Sequence, residues 1–312
     1  MVQIWSIKQV AKRLHRDDHG SVLVLVALMV VVLCGFTALV TDVGALYVQK
    51  QQAQDGADAG ALAGADLLIN NAASAANEAY RIATGNDGHV SYSATSDTAT
   101  DTVTVSGGQT VSLWFARALG DSSASLSVRS IAQVGTLISA VGIVPIAVPN
   151  QTFTYGEEVY LSDGAGSGLS GNYGFLDFSG EGSKGVETDI EHGYDFPLTV
   201  GQQVLTETGV MSGPVSDAIN YRLQQAASDP GCQSFETARS DCANVMYLPV
   251  VDSLAVSGKK SVTILGFAAF YLEGLTGEGG HQQILGRFIQ RVRPGEMGPG
   301  TNYGTYGVRL LG

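Results

Sequence analysis

The chain is poor in cysteine, proline and positive charge, and each shortage narrows what it can be. Three cysteines in 312 residues, with no Cys-x-x-Cys pair, argue against a dithiol redox site. Eight prolines beside forty glycines exclude a proline-rich stalk and point to many tight turns. The net charge is −12 and no cluster of lysine or arginine follows residue 20, so the contacts that hold nucleic-acid phosphates are missing. Gly-x-Ser-x-Gly and His-Glu-x-x-His are both absent. His89, His192 and His281 are scattered without metal-ligand spacing. His192, beside Glu191 and Asp195, reads as an exposed polar turn before Pro197 rather than half of an acid/base pair. The expectation is a protein without catalytic residues, cofactor or small-molecule substrate.

What the chain does have is one long apolar run. Ser21 to Thr41 contains no charged residue, and about 20 such residues at 1.5 Å rise cross the roughly 30 Å hydrocarbon core. Lys8, Lys12, Arg13 and Arg16 precede the run, whereas Lys50 is the only basic residue between it and Arg81. That asymmetry predicts a single-pass membrane helix with a cytoplasmic N-terminus and the bulk of the chain outside. A secretory signal is the rival, but its apolar core is usually only about 7–15 residues long. Cleavage after Gly20 is a further alternative, although type IV prepilins carry Glu five residues into the mature chain and Leu25 stands there. Ile4, Ile7, Ala11 and Leu14 have helical spacing among the basic residues, which fits either an interfacial helix or a frayed tail.

Beyond the run, residues 43–83 lack proline and keep apolar residues at helical spacing, so the helix is expected to continue to about residue 83. Within it Gly56, Gly60 and Gly64 recur every four residues beside the row Ala53, Ala57, Ala61 and Ala65. An interior glycine costs about 1 kcal/mol of helix propensity relative to alanine. Three in register therefore call for a close backbone approach that compensates. The partner is either this chain's own sheet or another subunit's helix. Next come alternating segments at 89–95 and 102–106 that read as a hairpin, a short helix over 112–120, and a strand over 125–134.

Several of these residues resemble a known family. The basic tail, Gly20, the apolar span, Asp42-Val-Gly44, Tyr47, Ala57-Asp58-Ala59 and Ala61-Leu-Ala-Gly-Ala65 are similar to the N-terminal region of TadG-like proteins of Flp (Tad) pilus assembly. Phe115-Ala-Arg-Ala-Leu-Gly120 also resembles that family and its TadE relatives. Looser likenesses to C-terminal parts of TadG-like proteins lie at Asn172-Tyr-Gly-Phe-Leu-Asp177, from Met211 to Asn220, and at Leu248-Pro-Val-Val-Asp252. The resemblance implies a membrane-anchored accessory or minor pilin-like component, with pilin or assembly subunits as partners and no enzymatic activity. A surface adhesin or ligand-binding module on the same anchor is the alternative. Whether the chain joins the filament or the assembly platform stays open.

The expected organisation is α+β. A tail covers 1–20, a transmembrane helix 21–41, and an α+β unit with a long helix on a small antiparallel sheet 42–140. A linker over 141–150 then leads to a β-rich extracytoplasmic domain over 151–312 with one helix, from Gly213 to Ala227, and strands near 152–161, 173–178, 198–206, 245–251, 260–272 and 282–293. Cys34 lies inside the membrane as a small apolar group. Cys232 and Cys242 lie ten residues apart outside it and are expected to form a disulfide. Gly166-x-Gly168-x-x-Gly171 and Gly180-x-Gly182-x-x-Gly185 match a dinucleotide pattern, yet neither is read as opening a helix. Asp177-Phe-Ser179-Gly-Glu181-Gly182 resembles half a calcium loop, but Thr188 stands where a bidentate Glu is needed and the flanks read as strand. A solvated acidic loop over 177–191 is the simpler reading, with a weak Ca²⁺ site as the alternative.

Overall fold

A computed structural model describes residues 19–161, 172–208, 212–255, 258–277 and 283–311. The basic tail over 1–16, the 166–171 glycine motif, Asp163, Met211 and His281 lie outside the described residues.

Helix α1 runs unbroken from His19 to Leu68, about 75 Å at 1.5 Å per residue. It does not continue to residue 83. Two consecutive asparagines, Asn70 and Asn71, stop it, because short polar amides compete for the backbone bonds that a helix needs. The Asn71 N–H donates to the Leu67 carbonyl at 2.7 Å, and α2 (Ala72–Asn86) starts at once in the opposite direction. Strands β1 (Ser91–Asp97), β2 (Thr102–Ser112) and β3 (Ser123–Ala140) follow as an antiparallel meander. The helix expected over 112–120 shrinks to a single 3₁₀ turn, Ala116–Leu119. Ser112 already pairs with Ser123, which leaves only residues 113–122 for the hairpin tip.

The segment over 141–150 is not an exposed linker. Ile143, Val144, Ile146 and Val148 are buried, and β4 (Val148–Pro149) pairs with a strand of the next sheet. Further along come β5 (Glu158–Leu161), β6 (Asn172–Asp177), α3 (Ser183–His192), β7 (Leu198–Thr199), β8 (Gln203–Thr208) and α4 (Ser212–Ala227). The last strands are β9 (Val245–Val251), β10 (Ser261–Thr276), β11 (Gln283–Ile289), β12 (Arg291–Val292), β13 (Glu296–Met297) and β14 (Thr305–Leu311). The helix α3 replaces the acidic loop expected near 177–191, so the described residues of this region hold two α-helices where one was expected. Its Val186 and Ile190 share an apolar core with Val215, Ala218 and Ile219 of α4.

The α+β class holds, but the chain does not divide into two consecutive units. The first sheet has the order β1-β2-β3-β14-β12, so a C-terminal strand completes the N-terminal meander. The far end of β3 also pairs with β13 and β7. The second sheet, β4-β9-β10-β11-β5 with β8 and β6 alongside, is covered on both faces. Successive residues of β9 alternate between two cores: Val245, Tyr247 and Val251 enter one, and Met246, Leu248 and Val250 the other. A third core lies between α1, α2 and the first sheet.

Candidate functional site

Two stretches of α1 differ sharply in what surrounds them. From Val22 to Val40 the large apolar side chains are exposed on every side of the helix. A soluble protein does not leave such a surface in water, and this helix is long and apolar enough to cross a membrane. From Ala53 onward the helix is packed. Ala53, Ala57, Ala61 and Ala65 are fully buried with Val103, Val105, Val128 and Ala132 of the first sheet.

The glycine stripe faces α2. A Cβ added at Gly60 would stand 2.5 Å from the Ala79 carbonyl oxygen and 2.8 Å from Ala83 Cβ. At Gly64 it would meet the Ala75 oxygen and Ala79 Cβ, both at 2.8 Å. Partner numbers fall as the stripe numbers rise, so Gly56, Gly60 and Gly64 interdigitate antiparallel with Ala75, Ala79 and Ala83. The close approach demanded by three glycines is thus met inside the chain by a helix, and this face is closed to another subunit. Gly56 serves a second contact: Tyr92 from β1 reaches over it, and its hydroxyl donates to the Ala53 carbonyl at 2.8 Å. Burial, with Asp87 adding, pushes the Tyr92 hydroxyl up to about 12. Asp58 accepts from Gln54 Nε2 at 2.8 Å, and the same nitrogen reaches the Arg129 carbonyl at 3.0 Å.

Asp42 does more than mark the end of the uncharged run. Its carboxylate accepts three backbone N–H groups from the β2–β3 tip, those of Trp114 at 3.0 Å, Phe115 at 2.9 Å and Ala116 at 2.7 Å. One side chain thereby caps the 3₁₀ turn and fastens the tip to α1.

Residues 20–67 match the family model described as putative Flp pilus-assembly TadE/G-like. The match lies in the N-terminal region and takes in 48 of the 312 residues. The match begins at the foot of the exposed apolar stretch and ends one residue before α1 does, so it covers both the lipid-type surface and the whole glycine stripe. No curated protein and no solved structure matches the chain.

The other candidate residues fall elsewhere. Cys232 and Cys242 are bonded, and the loop they close packs on β10, where the Tyr271 hydroxyl donates to the Cys232 carbonyl at 2.9 Å. The Gly180–Gly185 motif does open a helix, α3, but the strand before it pairs antiparallel with β8, unlike the parallel strand of a dinucleotide fold. Asp177 meets Lys259 Nζ at 2.6 Å and accepts from the Gly180 N–H at 2.7 Å. Burial pushes its carboxyl up, and Lys259 with that N–H outweighs burial to hold it below the usual range. A lysine therefore stands where a calcium ion would need the oxygen. Among the described residues no three His, Cys, Asp or Glu side chains come together to hold a metal. His192 lies 3.6 Å from Glu191 and edge-on to the Tyr221 ring.

Reading the sequence missed Ala75, Ala79 and Ala83, although they repeat every four residues as the glycines do. It also missed Asp42 as a cap, for which a single aspartate seventy residues from its partners leaves no signal.

Proposed function

We propose that this chain is a membrane-anchored accessory or minor pilin-like component of a Flp/Tad pilus-assembly apparatus. Its N-terminus lies in the cytoplasm and its α+β body outside, and it acts through protein contacts rather than catalysis. The observation that carries this reading is the overlap of the TadE/G-like match with the helix whose N-terminal half is exposed and apolar on all sides. A pilus component needs a helix that lipid accepts, and a folded outer body to present to its partners. Because α2 covers the Gly56/Gly60/Gly64 face, contacts with other subunits are left to the apolar stretch inside the membrane and to the outer surface.

Affinity capture of the full-length protein from native membranes tests this. Recovery of pilin or pilus-assembly subunits, with loss of pili when the gene is deleted, is the expected result. Normal piliation in the deletion strain and capture of no pilus component would overturn it.

A further inference from the structure

We infer that the tip of the β2–β3 hairpin is a second membrane contact, with Trp114 and Phe115 seated in the lipid headgroup layer beside the point where α1 leaves the bilayer. The inference rests on the membrane-span reading above and extends it to a part of the chain far from the helix in sequence.

Three observations meet at this place. Trp114 is 82% exposed and Phe115 49%, so two neighbouring aromatic side chains on one tip lack cover from the chain's own core. Their backbone is fixed, since the N–H groups of both residues and of Ala116 are held by Asp42. Asp42 is itself the first charged residue after the uncharged run from Ser21 to Thr41. The aromatic pair is therefore pinned within a hydrogen bond of the residue that marks the outer membrane boundary. Its height is set by covalent and hydrogen-bonded structure and not by a mobile loop.

The occupant follows from position and chemistry. The interfacial layer on each side of a bilayer is roughly 5–8 Å thick, about one helical turn. Tryptophan concentrates there because its ring is apolar while its indole N–H still needs a polar partner. Tyr47, five residues beyond Asp42 on α1, is also exposed and adds an aromatic near the same level. Arg117, two residues beyond Phe115, is exposed and can pair with a headgroup phosphate. The apolar surface of α1 from Val22 to Val40 runs directly up to this level, so the tip continues a lipid-facing surface and does not form an isolated patch.

The chain has only two tryptophans, Trp5 and Trp114, which makes the test direct. Full-length Trp5→Phe protein in vesicles of phosphatidylcholine and phosphatidylglycerol reports Trp114 alone. The expected result is stronger quenching by lipids brominated near the headgroup end of the acyl chain than by those brominated near the bilayer centre. Quenching by aqueous iodide should be severalfold weaker than for free N-acetyltryptophanamide. A companion variant, Trp5→Phe/Trp114→Phe/Leu28→Trp, places the probe inside the span and should be quenched most by the deep bromines. If Leu28→Trp responds to deep bromines while Trp114 ignores every brominated lipid, the tip contact is overturned and the span stands, even if iodide is excluded from Trp114 by some protein contact. If neither responds, both readings fall.

Discussion

Gly60 is glycine because α2 leaves no room for a single added carbon. Replacing it with alanine sets two effects of opposite sign against each other. Alanine is better than glycine in a helix interior by about 1 kcal/mol, which favours the variant. The new Cβ, however, would stand 2.5 Å from the Ala79 oxygen and 2.8 Å from Ala83 Cβ. Neither neighbour can rotate away, since one is backbone and the other is attached directly to it, so α2 must shift as a body. Overpacking of this kind costs roughly 1–3 kcal/mol, and the rigid neighbours place Gly60 at the upper end. The net expectation for Gly60→Ala is a loss of about 2 kcal/mol. Gly85, in the last turn of α2, has no atom within 4 Å of its added Cβ. There the propensity gain stands alone, and Gly85→Ala should be neutral or stabilising by up to about 1 kcal/mol. Urea unfolding of both full-length variants in detergent micelles, followed by circular dichroism, compares them in one background. A Gly60→Ala protein as stable as wild type would refute the reasoning, and if it also lost association with a partner the stripe would have to belong to an intermolecular seam.

Reducing the Cys232–Cys242 bond, or replacing both cysteines with serine, should lower the unfolding free energy by roughly 2–3 kcal/mol in the loop-entropy model, measured by the same titration. Asp42→Ala strips the acceptor from three N–H groups. Amide hydrogen exchange at Trp114, Phe115 and Ala116 should quicken, while the paired centre of β3 keeps its protection. Burial, with Asp195, Glu181 and Asp177 adding, pushes the Asp189 carboxyl up to about 6, and one of its oxygens is buried without a hydrogen-bond partner among the described residues. The folded chain then holds a proton that the unfolded chain has already released near pH 4, so stability falls as pH rises from about 4 to about 6. Asp189→Asn should flatten that slope and exceed wild type at pH 7 by up to about 3 kcal/mol, and an unchanged slope would show that Asp189 is not its source.

How much of this was legible in the sequence depended on whether a signal was local. The apolar run and the glycine stripe are repetitive and lie within one helix, so composition and spacing reveal them. The strand β9 is a plain apolar run bounded by turns and was readable to the residue. What failed was everything decided by a distant partner. The break at Asn70-Asn71 was visible as two turn-forming residues, but the helical pattern on either side concealed that the chain reverses there. Helix α3 was hidden because Glu187, Asp189 and Glu191 dominate its composition, and only Val186 and Ile190 carry the apolar face. The buried character of 141–150 depends on β9 and β6, and a stretch with two prolines reads as a connector until those strands are placed. The stripe's spacing alone does not distinguish a sheet from a foreign helix as its partner, and α2, formed by the chain's own reversal, is neither.

The joining of β14 to β3 has a mechanical consequence. β3 is eighteen residues long and spans at most about 60 Å. Its first residue pairs with Ser112 at the tip that Asp42 fastens to α1, and its last residues, Leu137 and Ala140, enter the core that contains Tyr247 and Phe267 of the second sheet. Over Ile131–Gln133 it is hydrogen-bonded on both sides, to β2 and to β14. A strand paired on both edges cannot bend at its middle without breaking two ladders at once, and slipping one residue would turn Ala132 and Val134 out of the core. The second sheet is therefore tied to α1 by a continuous paired strand as well as by the chain's own packing. The membrane contact proposed for the tip would then fix the distance and tilt at which the second sheet is presented. Such a stand-off would serve the pilus-assembly role proposed above, and a flexible linker over 141–150 could not have provided it.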